Sequence, residues 1–312
     1  MTTTGNASNK DNPEKTVLRS ALGVLAAATA THGTGRDDDI PLPKLPGFLW
    51  SAFSPLAFEV SSRCLTERPD GGTSRSSEAE SGGGSRTAVA LASLMGDTTT
   101  ADLASRRMVS GEVHNPILFM QATPNSVLGH MSREFGITGQ TFSLSSLDDP
   151  VTELLAMADL LLEDPELDRV LVLGVELGGS ERLAAAYREL AADSGRPVPE
   201  LPESAGLAAA VLLGRPDAGA PVTVRSAETP YDTGHGAPDT RDGGAAWHHG
   251  SIQGLFELAA THRRLLRDGG SHLLVTKPRA RRGPTAFTLT AGPDATARDH
   301  AARNETETHA HQ

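Results

Sequence analysis

A single cysteine, Cys64, stands in 312 residues, so no intramolecular disulfide can form and neither a cysteine-based zinc site nor a disulfide framework is available. A reducing cytoplasm suits such a chain. Aromatic residues are scarce at 4 %, against an apolar fraction of 38 % made mostly of Ala, Leu and Val. That balance favours tightly packed helix-on-sheet layers over an aromatic core, and hence an α/β fold. Basic charge is in deficit. The formal net charge is -11, and a nucleic-acid or membrane surface needs clustered Lys and Arg to meet phosphate, so neither is expected as a partner. No apolar run is long enough to span a bilayer. The stretch VLRSALGVLAAATATHG from Val17 starts too far from Met1 for a leader and is too short for a span, and reads as a first strand and its connection.

What is present is organised between polar ends. Residues 1–14 and 293–312 lack apolar periodicity and are expected to be disordered, leaving one domain over 15–292. Residues 66–86 (TERPDGGTSRSSEAESGGGSR) are Gly/Ser-rich and predict a flexible surface loop inside that domain. GFLWSAFSPLAFEVSSRCL has helical spacing, TAVALASLMGD reads as strand and turn, and Pro116 and Pro124 divide two short apolar pieces before a turn at Gly136 and Gly139. TFSLSS alternates with period two, PVTELLAMADLLL is apolar almost all round, and RVLVLGVELGG is a continuous strand-length run: strand, buried helix, strand. SAGLAAAVLLGR and PVTVRSAE read as further strands, GSIQGLFELAATHRRLLRDGG as a helix closed by glycines, and HLLVTK with TAFTLTAG as a terminal hairpin across PRARRGP. A strand-helix-strand unit with an apolar helix thus occurs twice, as two similar layers around shared buried helices would produce.

This order of motifs resembles the β-ketoacyl synthase family of the thiolase fold, in particular its ketosynthase-like chain-length factors from type II polyketide or aryl-polyene systems. The resemblance runs from about Leu45 to Gly292. SPLAFEV is similar to the family's early helix, and VHNPILFMQATPNSVLGHMSREFGITGQTFSLSS to its asparagine, helix, GitGp turn and dimer-edge strand. RVLVLGVE resembles the strand after the nucleophile helix, PESAGLAAAVLLGR the GEGAGxLVLE stretch, and HGSIQGLFELAA the GHxxGAAG helix. The resemblance implies a five-layered α-β-α-β-α fold of two similar halves, the second shortened.

The departures from the family's pattern bear on function. Catalytic members carry a cysteine at the N-terminus of the buried helix, where the dipole and backbone N–H groups favour a thiolate. Laid residue on residue from Gly139, that position falls on Asp148, and an acyl-aspartate would be far more labile than a thioester. Aligning Gly250 and Gly254 with the glycines of GHxxGAAG puts Ser251 where the family has a catalytic histidine. Only YDTGHGAPD, with His235, weakly echoes the family's other histidine motif. The resemblance therefore implies no catalytic residue of its own: a chain-length-factor subunit that forms a heterodimer with an active ketosynthase, shapes the acyl tunnel and works on an acyl carrier protein. The well-known aromatic factors carry glutamine where this chain has Asp148.

Each candidate has a plainer reading beside it. Asp149 before Pro150 is a good helix cap, worth about 1 kcal/mol. Asp148, facing an apolar cavity, would cost several kcal/mol unless paired, or would take part in closing the tunnel. Phe119, Met120, Thr123 and Asn125 stand where chain-length factors face the partner's tunnel, and bulky side chains there would stop extension by steric exclusion; the alternative is ordinary packing. Arg279, Arg281 and Arg282, with Lys277, form a basic turn that would meet an acidic carrier protein, or is simply solvated. His248 and His249, near His235 and Asp232, lack ligand spacing on one helix face, so no metal or cofactor is expected. GVELGGSE lacks both GxGxxG spacing and a following helix start, which argues against nucleotide binding. Two other functional classes stay open: a stand-alone acyl-thioester decarboxylase or dehydratase pairing Asp148 with His248 or His249, and a non-catalytic scaffold homodimer.

Overall fold

The computed structural model describes residues 16–66, 84–112, 116–146, 150–194, 198, 200–227, 249–276 and 285–292. The segments expected to be disordered or loop-like at 1–14 and 293–312, and nearly all of 66–86, fall outside these, as does the turn PRARRGP.

The elements follow the apolar runs in chain order: β1 (Leu22–His32), α1 (Phe53–Thr66), β2 (Thr87–Ser93), α2 (Thr98–Val109), α3 (Pro116–Gln121), α4 (Pro124–Phe135), β3 (Thr141–Ser145), α5 (Pro150–Leu161), β4 (Arg169–Leu177), α6 (Glu181–Ser194), β5 (Gly206–Gly214) and β6 (Val222–Ala227). A 3-10 turn at Gly250–Ile252 then leads into α7 (Gln253–Asp268), β7 (Ser271–Thr276) and β8 (Thr285–Ala291). Strands β2 and β5 are buried at every position, which is why they read as unbroken apolar runs; β3 alternates because it is exposed or half-buried throughout. Pro124 opens α4 and Gly136, in the left-handed region at φ 65°, closes it. The two short pieces divided by prolines are thus the helices α3 and α4.

The strands form one sheet in the order β3-β2-β4-β5-β1-β6-β8-β7. β3, β2 and β4 are mutually parallel and the remaining pairs antiparallel. β1 pairs with β5 along nearly its whole length but with β6 only over Leu22–Val24. Beyond those residues the two limbs separate, and α5 and α7 fill the space between them. Val151, Leu154 and Leu155 of α5 share one core with Leu255 and Leu258 of α7, Val172 of β4, Leu274 of β7 and Phe287 and Leu289 of β8. Two glycines permit the close approach: a Cβ on Gly254 would lie 2.8 Å from Val151 Cγ1, and one on Gly174 would lie 2.7 Å from both Ile252 and Leu255. On the opposite face of the long limb, α1 and α4 bury Leu56, Val60, Val127 and Met131 against Val89, Leu171 and Leu173.

The result is the thiolase-like layered α/β architecture, with helices alternating between sheet limbs. In the short limb β6-β8-β7, Val224, Leu274, Phe287 and Leu289 are buried while Arg225, Leu273 and Thr290 are exposed. No helix covers that outer face among the described residues, so the described layers run α-β-α-β and the fifth, outer layer of the expectation is not among them. Two helices were not anticipated, α2 and α6. α6 begins directly after GVELGGS, so the glycine-rich stretch is followed by a helix start after all, although GxGxxG spacing remains absent. Among the described residues no helix is long and apolar enough to cross a membrane.

Candidate functional site

The parallel strands β2, β3 and β4 end at one rim of the sheet, the place where open α/β sheets hold ligands. Pro150 is the first residue of α5 at that rim, the position its fixed φ suits. Asp148 and Asp149 lie outside the described residues. Ser146, just past β3, is buried with no hydrogen-bond partner for its hydroxyl among them.

The structure places Ser251 against a residue that the sequence reading passed over. Glu176, near the end of β4, is 1 % exposed. Its carboxylate accepts the Ser251 backbone N–H at 2.8 Å, the Ser251 hydroxyl, and the phenol of buried Tyr187 from α6. A buried carboxylate is tolerated only with such charge-assisted partners. Gly250 makes the arrangement possible: its φ is +61°, and a Cβ there would lie 2.5 Å from Glu176 Oε1 and 2.8 Å from the Tyr187 oxygen. The Ser251 hydroxyl is thereby engaged in holding the start of α7 to β4 and α6.

His249 is half-buried beside this cluster. Its ring stacks on Phe256 with centroids 4.0 Å apart, and its Nδ1 lies 2.9 Å from Gln253 Oε1, the atom that also accepts its backbone N–H at 2.8 Å. Burial pushes its pKa below the ordinary imidazole value, an effect the Gln253 bond partly offsets. It borders a cleft lined by Thr31, Thr34, Arg36 and Ala205, with room for little more than a water. His248, His235 and Asp232 lie outside the described residues, as do Lys277, Arg279, Arg281 and Arg282. Among the described residues no group of three or more His, Cys, Asp or Glu could hold a metal ion.

Cys64 is buried on α1 and points its thiol at the Ala210 carbonyl of β5, 3.6 Å away. α1 packs on one face of the long limb and α5 on the other, so the sheet stands between the cysteine and the start of α5. It cannot act there as a nucleophile.

At the far edge of the sheet, β3 pairs on one side only among the described residues, with β2. The Ser143 hydroxyl of β3 donates to Asn125 Oδ1 at 2.7 Å, which fixes the start of α4 to the edge strand. The Thr123 hydroxyl, which gives α4 no capping bond, donates instead to the Met120 carbonyl at 2.8 Å. Leu118 points α3 inward while Ile117, Phe119 and Met120 are each at least 60 % exposed. α2 lies against α3, and its cap Asp97 accepts the Ser51 hydroxyl at 2.6 Å and Thr100 N–H at 3.0 Å. Burial raises the Asp97 pKa despite these bonds. They anchor the loop that exposes Leu49 and Trp50, the latter lying under the Arg107 guanidinium at 5.0 Å.

Glu176 and Tyr187 are buried partners of the candidate Ser251 that the sequence alone did not single out. Glu176 was visible as the one charge inside VLVLGVEL, a run otherwise apolar and therefore a place where an acid needs a buried partner. Nothing local marked Tyr187 as that partner.

No family model matches the sequence, and no curated protein matches it. Solved structures are similar in fold. The chain superposes on the ishigamide ketosynthase/chain length factor with a TM-score of 0.51 at 16 % identity, covering 87 % of this chain and 100 % of that one. A complex of the ketosynthase ApeO with its chain length factor ApeC from Xenorhabdus doucetiae gives 0.48 at 15 %, over 86 % and 99 %. Ketosynthase twelve of the bacillaene polyketide synthase of Bacillus amyloliquefaciens gives 0.42 at 12 %, over 70 % and 47 %. This is a thiolase-fold protein, similar in fold at low identity to the ishigamide ketosynthase/chain length factor.

Proposed function

We propose that the chain is a non-catalytic chain-length-factor subunit that pairs through its β3 edge with a cysteine-bearing ketosynthase, helps shape the acyl tunnel, and acts on chains held by an acyl carrier protein. The observation that carries this reading is the pairing of β3 on one side only among the described residues, with α4 packed on that strand and the exposed apolar side chains of α3 next to α4. An edge strand open to pairing, with exposed apolar side chains on a neighbouring helix, is suited to a protein interface. Two further features favour a partner's chemistry over the chain's own: Ser251 is committed to Glu176, and the sole cysteine is on the wrong face of the sheet. The acid/base alternative gains nothing from His249, whose ring is bonded to Gln253 and stacked on Phe256.

Co-expression with a cysteine-bearing ketosynthase tests the reading. The expected result is a stable 1:1 complex that elongates carrier-bound chains, while this chain alone does not. Within that complex, Phe119→Ala is expected to shift the product distribution toward longer chains. Turnover of acyl thioesters by this chain alone would overturn the subunit reading, and an unchanged product distribution would remove the tunnel role of Phe119.

A further inference from the structure

The sheet order matches its two limbs strand for strand. From the centre outward one limb runs β1-β5-β4 and the other β6-β8-β7, with α5 leading into β4 and α7 into β7. In the first limb the outer edge of β4 is covered by β2, parallel to it from Thr87–Arg169 to Ala92–Gly174. In the second limb no strand pairs with the corresponding edge of β7 among the described residues. An edge of unpaired N–H and C=O groups is a template for another strand, and proteins usually blunt it with Pro, Lys or a bulge. SHLLVT has none of these: its register with β8 runs unbroken from Ser271–Thr290 to Thr276–Thr285.

The surroundings of this edge select its occupant. Arg264 and Arg267 lie on the last turns of α7, exposed and in no ion pair among the described residues, with Asp268 the acid of that turn, while Arg263 reaches instead to Thr29 of β1. α7 packs against β7 and ends at Asp268, two residues before β7 begins, so the turns carrying Arg264 and Arg267 adjoin the start of the edge strand. The molecule as a whole carries -11, so this is a positive site on a negative protein. A second copy would bring the same two arginines together, whereas an acidic chain would be drawn in.

We propose that β7 accepts an extended, acidic segment of a partner protein as an added strand, held by backbone pairing along Ser271–Thr276 and by Arg264 and Arg267. Strand addition draws affinity from main-chain hydrogen bonds and specificity from flanking side chains. This surface is separate from the β3 edge, and its test does not depend on a ketosynthase.

The probe is a fluorescein-labelled decapeptide alternating Val and Glu, with its Val/Lys counterpart as control, titrated into the full-length protein. Anisotropy is expected to saturate with the acidic peptide and not with the basic one. Hydrogen exchange of the β7 amides should slow on binding while that of the β3 amides does not change. The double variant Arg264→Gln with Arg267→Gln, both at exposed positions, should weaken binding about tenfold. Equal binding of the basic peptide, or unchanged β7 exchange at saturation, would overturn the proposal. So would β7 protection that grows with protein concentration alone, which would assign the edge to a second copy.

Discussion

Ser251 donates both its backbone N–H, at 2.8 Å, and its hydroxyl to the same carboxylate oxygen of Glu176. That relationship joins the start of α7 to the end of β4 through a carboxylate with almost no access to water. Removing the hydroxyl in Ser251→Ala deletes one charge-assisted donor and leaves the buried carboxylate less well satisfied, a loss of roughly 1–3 kcal/mol. Urea unfolding should show a lower midpoint with an unchanged slope. A midpoint equal to wild type would mean that the hydroxyl contributes nothing to the lock.

Gly250→Ala should cost more than Ser251→Ala. Its Cβ would enter contact at 2.5 Å with Glu176 Oε1 and at 2.8 Å with the Tyr187 oxygen, in a backbone conformation that already disfavours a side chain. Strain of this kind costs on the order of 1–3 kcal/mol before the lost hydrogen bonds are counted. Thermal melts of the two variants in parallel give the ranking, and a Gly250→Ala variant as stable as wild type would show that the turn can move.

Particular residues show where the sequence was legible and where it was not. The runs that became β2, β4 and β5 were plain because both faces of those strands are buried, and Pro150 marked a helix start, whereas Pro116 and Pro124 were legible only as dividing two short pieces that the structure shows to be helices. α2 and α6 were missed because TTTADLASRRMV and ERLAAAYRELAADS are polar on average and bury few side chains. Ser251 was singled out by alignment with a motif, but its partner Glu176 lies 75 residues earlier, and spacing cannot reveal such a pair. The edge position of β3 was legible from its alternation combined with the family resemblance.

His262 was also within reach of the sequence, since it falls on the apolar stripe of α7 with Leu255, Leu258, Ala259 and Leu265. It is 3 % exposed, and burial pushes its imidazole down to about 4, with the Val24 backbone offsetting part of the effect and Arg263 adding to it. The unfolded chain, with an ordinary value of 6.5, therefore binds more protons than the folded one between these limits. Stability should fall as pH drops from 6.5 toward 4, by up to roughly 3 kcal/mol at 1.36 kcal/mol per pKa unit. In His262→Leu this portion of the pH dependence should vanish. Unfolding free energies at pH 7 and pH 5 for both proteins provide the check, and equal slopes would remove His262 as the cause.

Cys64 tests the separation of the thiol from the rim. Burial against Ala210 predicts that the native protein resists thiol reagents, with labelling limited by opening of the structure and at least about a hundredfold slower than in denaturant. Fast labelling of the native protein, or blockade of carrier-bound chain elongation by that labelling within an active complex, would contradict the placement of the cysteine.

The exposed face of α3 offers the sharpest distinction between folding and association. Phe119 and Met120 point outward, at 60 % and 64 % exposure, while Leu118 between them supplies the buried contact. Charging the two outer positions in Phe119→Glu with Met120→Glu removes no core packing, so the unfolding free energy should change by no more than about 0.5 kcal/mol per site. If these side chains meet a ketosynthase, the same change places two carboxylates in a desolvated contact, and association should weaken by at least about tenfold. Leu118→Ala is the complementary variant, expected to lower stability by about 2–5 kcal/mol as a buried leucine truncation does. Measuring complex formation by titration and stability by urea unfolding on the same samples separates the two effects. Intact association of the doubly charged variant would show that the partner docks elsewhere.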